Sequence, residues 1–178
     1  MPGTEEIRNR QFQAVVWPHV NAAYNLARCI CRNEADCRDV LQESFVRAVQ
    51  YLGSYQGGDA RSWLLAIVRN TAYTWLRTHR HDRNEVRDAR TDNTSSDGDG
   101  GPSDPMTEAA HQQEIERLRQ MIERLPLEQR EVLVLRVFEE LTYRQIAKIT
   151  GSPIGTVMSR LARARDALSL LLQEELAP

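Results

Sequence analysis

From Thr91 to Pro105 the chain reads TDNTSSDGDGGPSDP, fifteen residues without one large apolar side chain. Such a stretch buries too little surface to offset the entropy lost on ordering it. The 178 residues must therefore fold as two pieces on either side of it. The composition around it fixes the boundaries: a first domain over residues 1–82, a flexible acidic linker over 83–106, and a second domain over 107–178. Each piece is within the size range of a small domain. A linker of this length permits both a closed and an extended arrangement of the two.

Both pieces read as helical, with almost no strand signal, so the fold class is all-α. Around Asp36–Leu52, Cys37, Leu41, Phe45, Ala48 and Leu52 share one side of a helical wheel, and Asp39, Gln42, Glu43, Val46 and Gln50 lie opposite. Asp36 is the expected N-cap. A helix over Asp59–Arg80 follows the turn residues Gly57 and Gly58, with Leu64, Ile67, Val68, Ala72 and Trp75 facing inward. Its other face carries Ser62, Arg69, Asn70, Tyr73, Arg77 and Arg80, with Tyr73 expected at the surface. Phe12–Cys31 reads as helical, interrupted near Pro18. In the second domain, Thr107 is a candidate cap for a helix carrying Ile115, Leu118, Ile122 and Leu125. Pro126 opens the next helix. Thr142 and Gln145 have the spacing of a capping box. Gly151 ends that short helix, and Ser152 with Pro153 starts the last one. Ile154, Val157, Leu161, Ala164 and Leu168 form its inward stripe.

Charge is segregated along the chain. The formal net charge is only −2. Residues 61–90 nevertheless sum to +4, 91–116 to −7, 117–140 to zero and 141–168 to +4. Two basic patches separated by an acidic segment point to two contacts with a polyanion. One patch is the helix–turn–helix pattern at 142–166, whose second helix leaves Thr156, Met158, Ser159, Arg160, Arg163 and Arg165 off the buried stripe. That face suits a DNA major groove, where Arg reads guanine and Ser or Thr holds phosphate. A helical hairpin with a solvated basic face is the alternative. The other patch, on Asp59–Arg80, combines Arg with Tyr and Asn as single-strand binding requires, while Trp63 and Trp75 belong in the core.

Other chemistries lack their residues. Cys29, Cys31 and Cys37 have neither zinc-binding nor redox-pair spacing and read as small buried hydrophobes. The four histidines are scattered, and the Asp39–Glu43 carboxylates have no nucleophile beside them. No metal ion or cofactor is expected. No apolar run approaches the ~18 residues of a membrane span, and the N-terminus lacks a secretory pattern, so a cytoplasmic protein without membrane insertion is expected.

The segments ADCRDVLQESFVRAV (35–49), SWLLAIVRNTAYTWLR (62–77) and LPLEQREVLVLRVFEELTYRQIAKITGSPIGTVMSRLARARDAL (125–168) resemble the extracytoplasmic-function sigma factors of the sigma-70 family. The resemblance covers both domains in order. It implies a non-enzymatic, dissociable subunit of bacterial RNA polymerase. Asp39, Gln42 and Glu43 would then dock on core polymerase. Arg69, Asn70, Tyr73 and Arg77 would engage the −10 element as a single strand, with the loop Tyr55–Ala60 receiving a flipped base. Thr156, Met158, Ser159, Arg160, Ala162 and Arg163 would read the −35 element as duplex. Met158 stands where many members carry Lys or Arg, and Ala60 and Arg61 where many carry an aromatic residue. An anti-sigma factor is the further partner the resemblance implies. Two rivals are a stand-alone helix-turn-helix regulator and a thiol or metal sensor.

Overall fold

The computed structural model describes residues 4–79 and 105–176. Among them every regular element is a helix: α1 (Thr4–Val15), α2 (Val20–Cys31), α3 (Glu34–Tyr51), α4 (Ala60–Thr78), α5 (Pro105–Arg124), α6 (Leu127–Val137), α7 (Tyr143–Thr150) and α8 (Ile154–Leu176). Short 3-10 turns occupy Trp17–His19 and Leu52–Ser54. No described helix is long and apolar enough to cross a membrane. The expected linker lies outside the described residues except for Pro105 and Met106, which already belong to α5. Thr107 is therefore inside that helix and does not cap it.

The first half is a bundle of α2, α3 and α4. On α2, Ala22, Ala23, Leu26, Ala27 and Ile30 recur at helical spacing and are buried. On α3 the buried positions are Cys37, Val40, Ser44 and Ala48, with Leu41 and Phe45 packed at the edge. Ser44 fits because its hydroxyl donates to the Val40 carbonyl at 2.6 Å. The cap of α3 is Asn33, not Asp36: Asn33 Oδ1 accepts the Asp36 N–H at 2.8 Å, and Asp36 sits in the first turn. Asp59 caps α4 by accepting the Ser62 N–H at 3.0 Å. The same carboxylate takes the Ser62 hydroxyl, which is why Ser62 is buried and not on the solvent face.

In the second half, α6, α7 and α8 pack around Val132, Leu135, Leu141, Ile146, Ile149, Val157, Leu161 and Ala164. The Thr142–Gln145 capping box forms, with Thr142 N–H donating to Gln145 Oε1 at 2.9 Å. Gly151 ends α7 with φ 63°, a left-handed turn that favours glycine. The start of α8 differs from expectation by one residue. Val157 N–H donates to the Pro153 carbonyl at 3.1 Å, so Pro153 holds the cap position. The Ser152 hydroxyl instead accepts from Arg160 at 3.1 Å. Ile154 projects outward, 43 % exposed, so the inward stripe begins at Val157.

The two halves are closed on each other. α2 packs on α6, and α4 packs on α7. Of the two arrangements that the linker permits, the structure adopts the closed one.

Candidate nucleic-acid and polymerase interfaces

Three polar faces matter, and each sits on a helix whose opposite side is core. On α3, Asp39 and Gln42 are exposed. Glu43 is half-buried and accepts from Arg47 Nε at 2.8 Å, one helical turn on. This leaves an open acidic and amide surface on a rigid element.

On α8, Met158, Ser159, Ala162 and Arg163 are exposed and lie on successive turns. Thr156 is half-buried at the edge of this face, and Ser159 Oγ donates to its carbonyl at 3.0 Å. Arg160 differs from the others. Its guanidinium turns back to Glu128 of α6 at 2.7 Å, as well as to Ser152, and its side chain is only 18 % exposed. In this arrangement it braces the start of α8 against α6. An Arg one position off the open face can reach inward because its stem is long and its fork has five donors.

On α4, the four residues singled out for single-strand binding divide into two pairs. Asn70 and Arg77 are exposed. Arg69 and Tyr73 are covered by α6. Arg69 donates through Nε to Glu131 Oε1 and through Nη2 to Oε2 at 3.4 Å, and the Tyr73 hydroxyl donates to Oε2 at 3.0 Å. The Arg69 guanidinium also lies 4.3 Å from the centre of the Tyr73 ring. Tyr73 is thus half-buried rather than at the surface, and burial with the adjacent Glu131 charge raises its pKa. Glu131 is fully buried. Burial raises its pKa, against the opposing pull of Arg69 and of the Arg69 and Tyr73 hydrogen bonds.

A second contact between the halves runs alongside. Glu139, 3 % exposed, accepts from Arg61 and, at 2.9 Å, from Asn25 Nδ2. Gln145 Nε2 donates to Asp59 at 2.7 Å. Arg32 and Arg130 both donate to the Glu123 carbonyl, at 3.0 and 3.1 Å. Below this line the loop before α4 is held by Tyr55, whose hydroxyl donates to the Gly58 carbonyl at 2.8 Å and whose ring packs 5.1 Å from that of Trp63.

Glu131 and Glu139 leave no trace in the charge pattern of the sequence, because residues 117–140 balance to zero. The local signal is a carboxylate immediately before the apolar run Val132–Leu135, which a fold that buries it tolerates only with a partner.

The cysteines show no reactive setting. Cys31 and Cys37 are buried and Cys29 is half-buried. Burial pushes the Cys29 and Cys37 thiols up to about 12. Among the described residues no group of His, Cys, Asp and Glu could hold a metal ion.

The sigma-70 region 2 family model matches residues 16–81, and the sigma-70 region 4 model matches residues 115–168. The chain belongs to the extracytoplasmic-function sigma factors of the sigma-70 family. It is 34 % identical over 170 residues to the RNA polymerase sigma-H factor of Pseudomonas aeruginosa, covering 92 % of this chain and 87 % of the relative. To the ECF RNA polymerase sigma-E factor of Escherichia coli it is 35 % identical over 145 residues, or 78 % of this chain and 74 % of that one. CnrH, solved with the cytosolic domain of CnrY, superposes with a TM-score of 0.65 at 26 % identity, covering 93 % and 90 % of the two chains. The Bartonella quintana sigma factor RpoE, solved with the anti-sigma factor NepR, shares the fold, with a TM-score of 0.70, 22 % identity, and coverage of 93 % and 96 %. This sigma factor thus carries region 2 on α2–α4 and region 4 on α5–α8, and it is an alternative factor for transcription initiation.

Proposed function

We propose that this sigma factor directs core RNA polymerase to a defined promoter set in the cytoplasm, with separate surfaces for each task. The domain limits are 1–82, 83–106 and 107–178. Asp39, Gln42 and Glu43 dock on core polymerase. Arg69, Asn70, Tyr73 and Arg77 take the −10 element as a single strand, Tyr73 stacking on a base and the arginines holding phosphates. Thr156, Met158, Ser159, Arg160, Ala162 and Arg163 form the region 4 surface for the duplex −35 element. An anti-sigma factor holds the chain back until a signal arrives, as NepR and CnrY are paired with the two structural relatives. The chain supplies recognition, and catalysis stays with the polymerase.

The observation that carries this reading is the α7–Gly151–α8 unit. A completed capping box and a left-handed glycine turn present α8 with Met158, Ser159, Ala162 and Arg163 facing solvent. A rigid helix with an open polar face is what a major groove admits. The test is run-off transcription by core polymerase, with and without this protein, on fragments of its own genome. New starts that share −35 and −10 sequences are expected. No new starts, together with sequence-specific duplex binding by the free chain, would replace this reading with a stand-alone regulator.

A further inference from the structure

The closed arrangement places the acids of region 4 on the residues of region 2 proposed to hold single-stranded DNA. Glu131 presents both carboxylate oxygens to Arg69 and Tyr73. A carboxylate and a phosphate offer an arginine fork the same pair of anionic oxygens. The Arg69 guanidinium, 4.3 Å from the Tyr73 ring centre, covers a ring face on which a base would stack. Beside it, Glu139 takes Arg61, and Gln145 takes Asp59 at the start of α4. The Arg69 side chain is left 16 % exposed. Only Asn70 and Arg77 of the four remain open.

We infer that the free sigma factor masks itself: Glu131 and Glu139 of region 4 occupy the α4 face as an internal substitute for a DNA strand, and the halves must part before that face can bind. The inference rests on the proposed −10 role of α4. It assigns to region 4 a second task besides duplex reading. The mask leaves Met158, Ser159, Ala162 and Arg163 of α8 exposed. A chain in this state meets duplex DNA through α8 while being unable to hold a single strand. The affinity of α4 for a strand is then reduced by the fraction of molecules that are open. Separation also exposes a fully buried carboxylate, so the ion pairs and the apolar contacts of α2 with α6 and α4 with α7 are lost together.

The test uses the full chain without polymerase. Small-angle scattering gives its size, and fluorescence anisotropy gives its affinity for a labelled single-stranded 20-mer of random sequence. Glu131→Gln with Glu139→Gln keeps the side-chain shapes and removes both anions. We expect this variant to be larger and to bind the 20-mer about tenfold more tightly. Glu139→Arg should open the chain as well, and adding Arg61→Glu should restore compactness and weak binding, which a misfolded protein would not do. If both variants stay compact, the lock is not where we place it. If they open and bind no more tightly while Arg69→Ala in the opened background still weakens binding, the masking fails and the −10 face stands. If Arg69→Ala has no effect in the opened background, the −10 assignment itself falls.

Discussion

The α4 and α8 faces are built from similar residues and stand in opposite states. Both present arginines with polar and larger side chains on the side away from a core. On α8, Arg163 is exposed and no acid faces it from a neighbouring element among the described residues, whereas on α4, Arg69 is largely covered and paired with Glu131. The difference comes from what packs opposite. α8 buries Val157, Leu161 and Ala164 and turns its other side to solvent. α4 is contacted on two sides, by the bundle of its own half and by region 4. A basic helical face in the sequence is thus a statement about potential. Whether it is available depends on a partner that can lie sixty residues away.

The sharpest way to break this comparison is to remove one arginine from each face. Arg69→Ala leaves the fully buried Glu131 without its cation, a loss of about 3–5 kcal/mol when both partners are buried and somewhat less here, where Arg69 is 16 % exposed. The expected result is a large fall in thermal midpoint or an opened chain in scattering. A midpoint and size like wild type would show that Glu131 does not depend on Arg69. Arg163→Ala should leave the folding stability within about 0.5 kcal/mol of wild type, since the side chain is exposed. It should cost roughly 1–3 kcal/mol in duplex binding if it contacts a base. Equal weakening on all sequences would reassign it to phosphate.

Arg160 tests the border between the two states. Its pair with Glu128, which is 61 % exposed, is worth about 1 kcal/mol or less. Arg160→Ala should therefore lower stability slightly and affect duplex binding less than Arg163→Ala. A larger binding loss than at Arg163 would mean that Arg160 swings out on DNA.

A smaller effect is expected from pH. The Glu131 pKa is raised above its ordinary 4.5, mainly by burial, with Arg69, Tyr73 and Arg160 as the groups that oppose the rise. The folded chain then holds a proton that the unfolded chain has released, in the window from 4.5 up to the raised value. This contribution favours the folded state at the acid end of the window and is lost as pH rises through it. Glu131→Gln should flatten that part of the stability profile, measured by denaturant melts at a series of pH values. An unchanged slope would remove Glu131 as its source.

The smallest effect belongs to the thiols. With Cys29 and Cys37 at about 12, the thiolate is about one part in 10⁵ at pH 7. Replacing all three cysteines with Ala should leave promoter-directed starts unchanged under oxidant. A response lost with the cysteines would revive the sensor reading.

Much of this fold was legible in the sequence because its signals are local. The Asp59 cap, the Thr142–Gln145 box and the Gly151 turn each depend on residues within three or four positions. At the start of α3 the expected cap, Asp36, lies three residues past the observed one. Asn33 and Asp36 both stand at the start of α3, and the one whose oxygen reaches a free N–H is Asn33. The closed arrangement was not legible. It depends on Arg69 meeting Glu131 and Arg61 meeting Glu139, pairs separated by 62 and 78 residues. A charge sum over 117–140 hides both acids, and a carboxylate abutting the apolar run Val132–Leu135 says that a partner is needed without saying which.

Asp59 has a consequence of its own. Burial pushes its pKa up, yet hydrogen bonds from Ser62 and Gln145 prevail and hold it below the ordinary value. It caps α4 and also accepts from Gln145, the third residue of α7. Neither helix has an acidic residue in its first turn. One carboxylate is therefore both the cap of α4 and an acceptor for the side chain that completes the α7 capping box. When the halves part, α4 keeps its cap, while Gln145 loses an outside acceptor and α7 keeps its Thr142 box, so each helix start survives the separation intact.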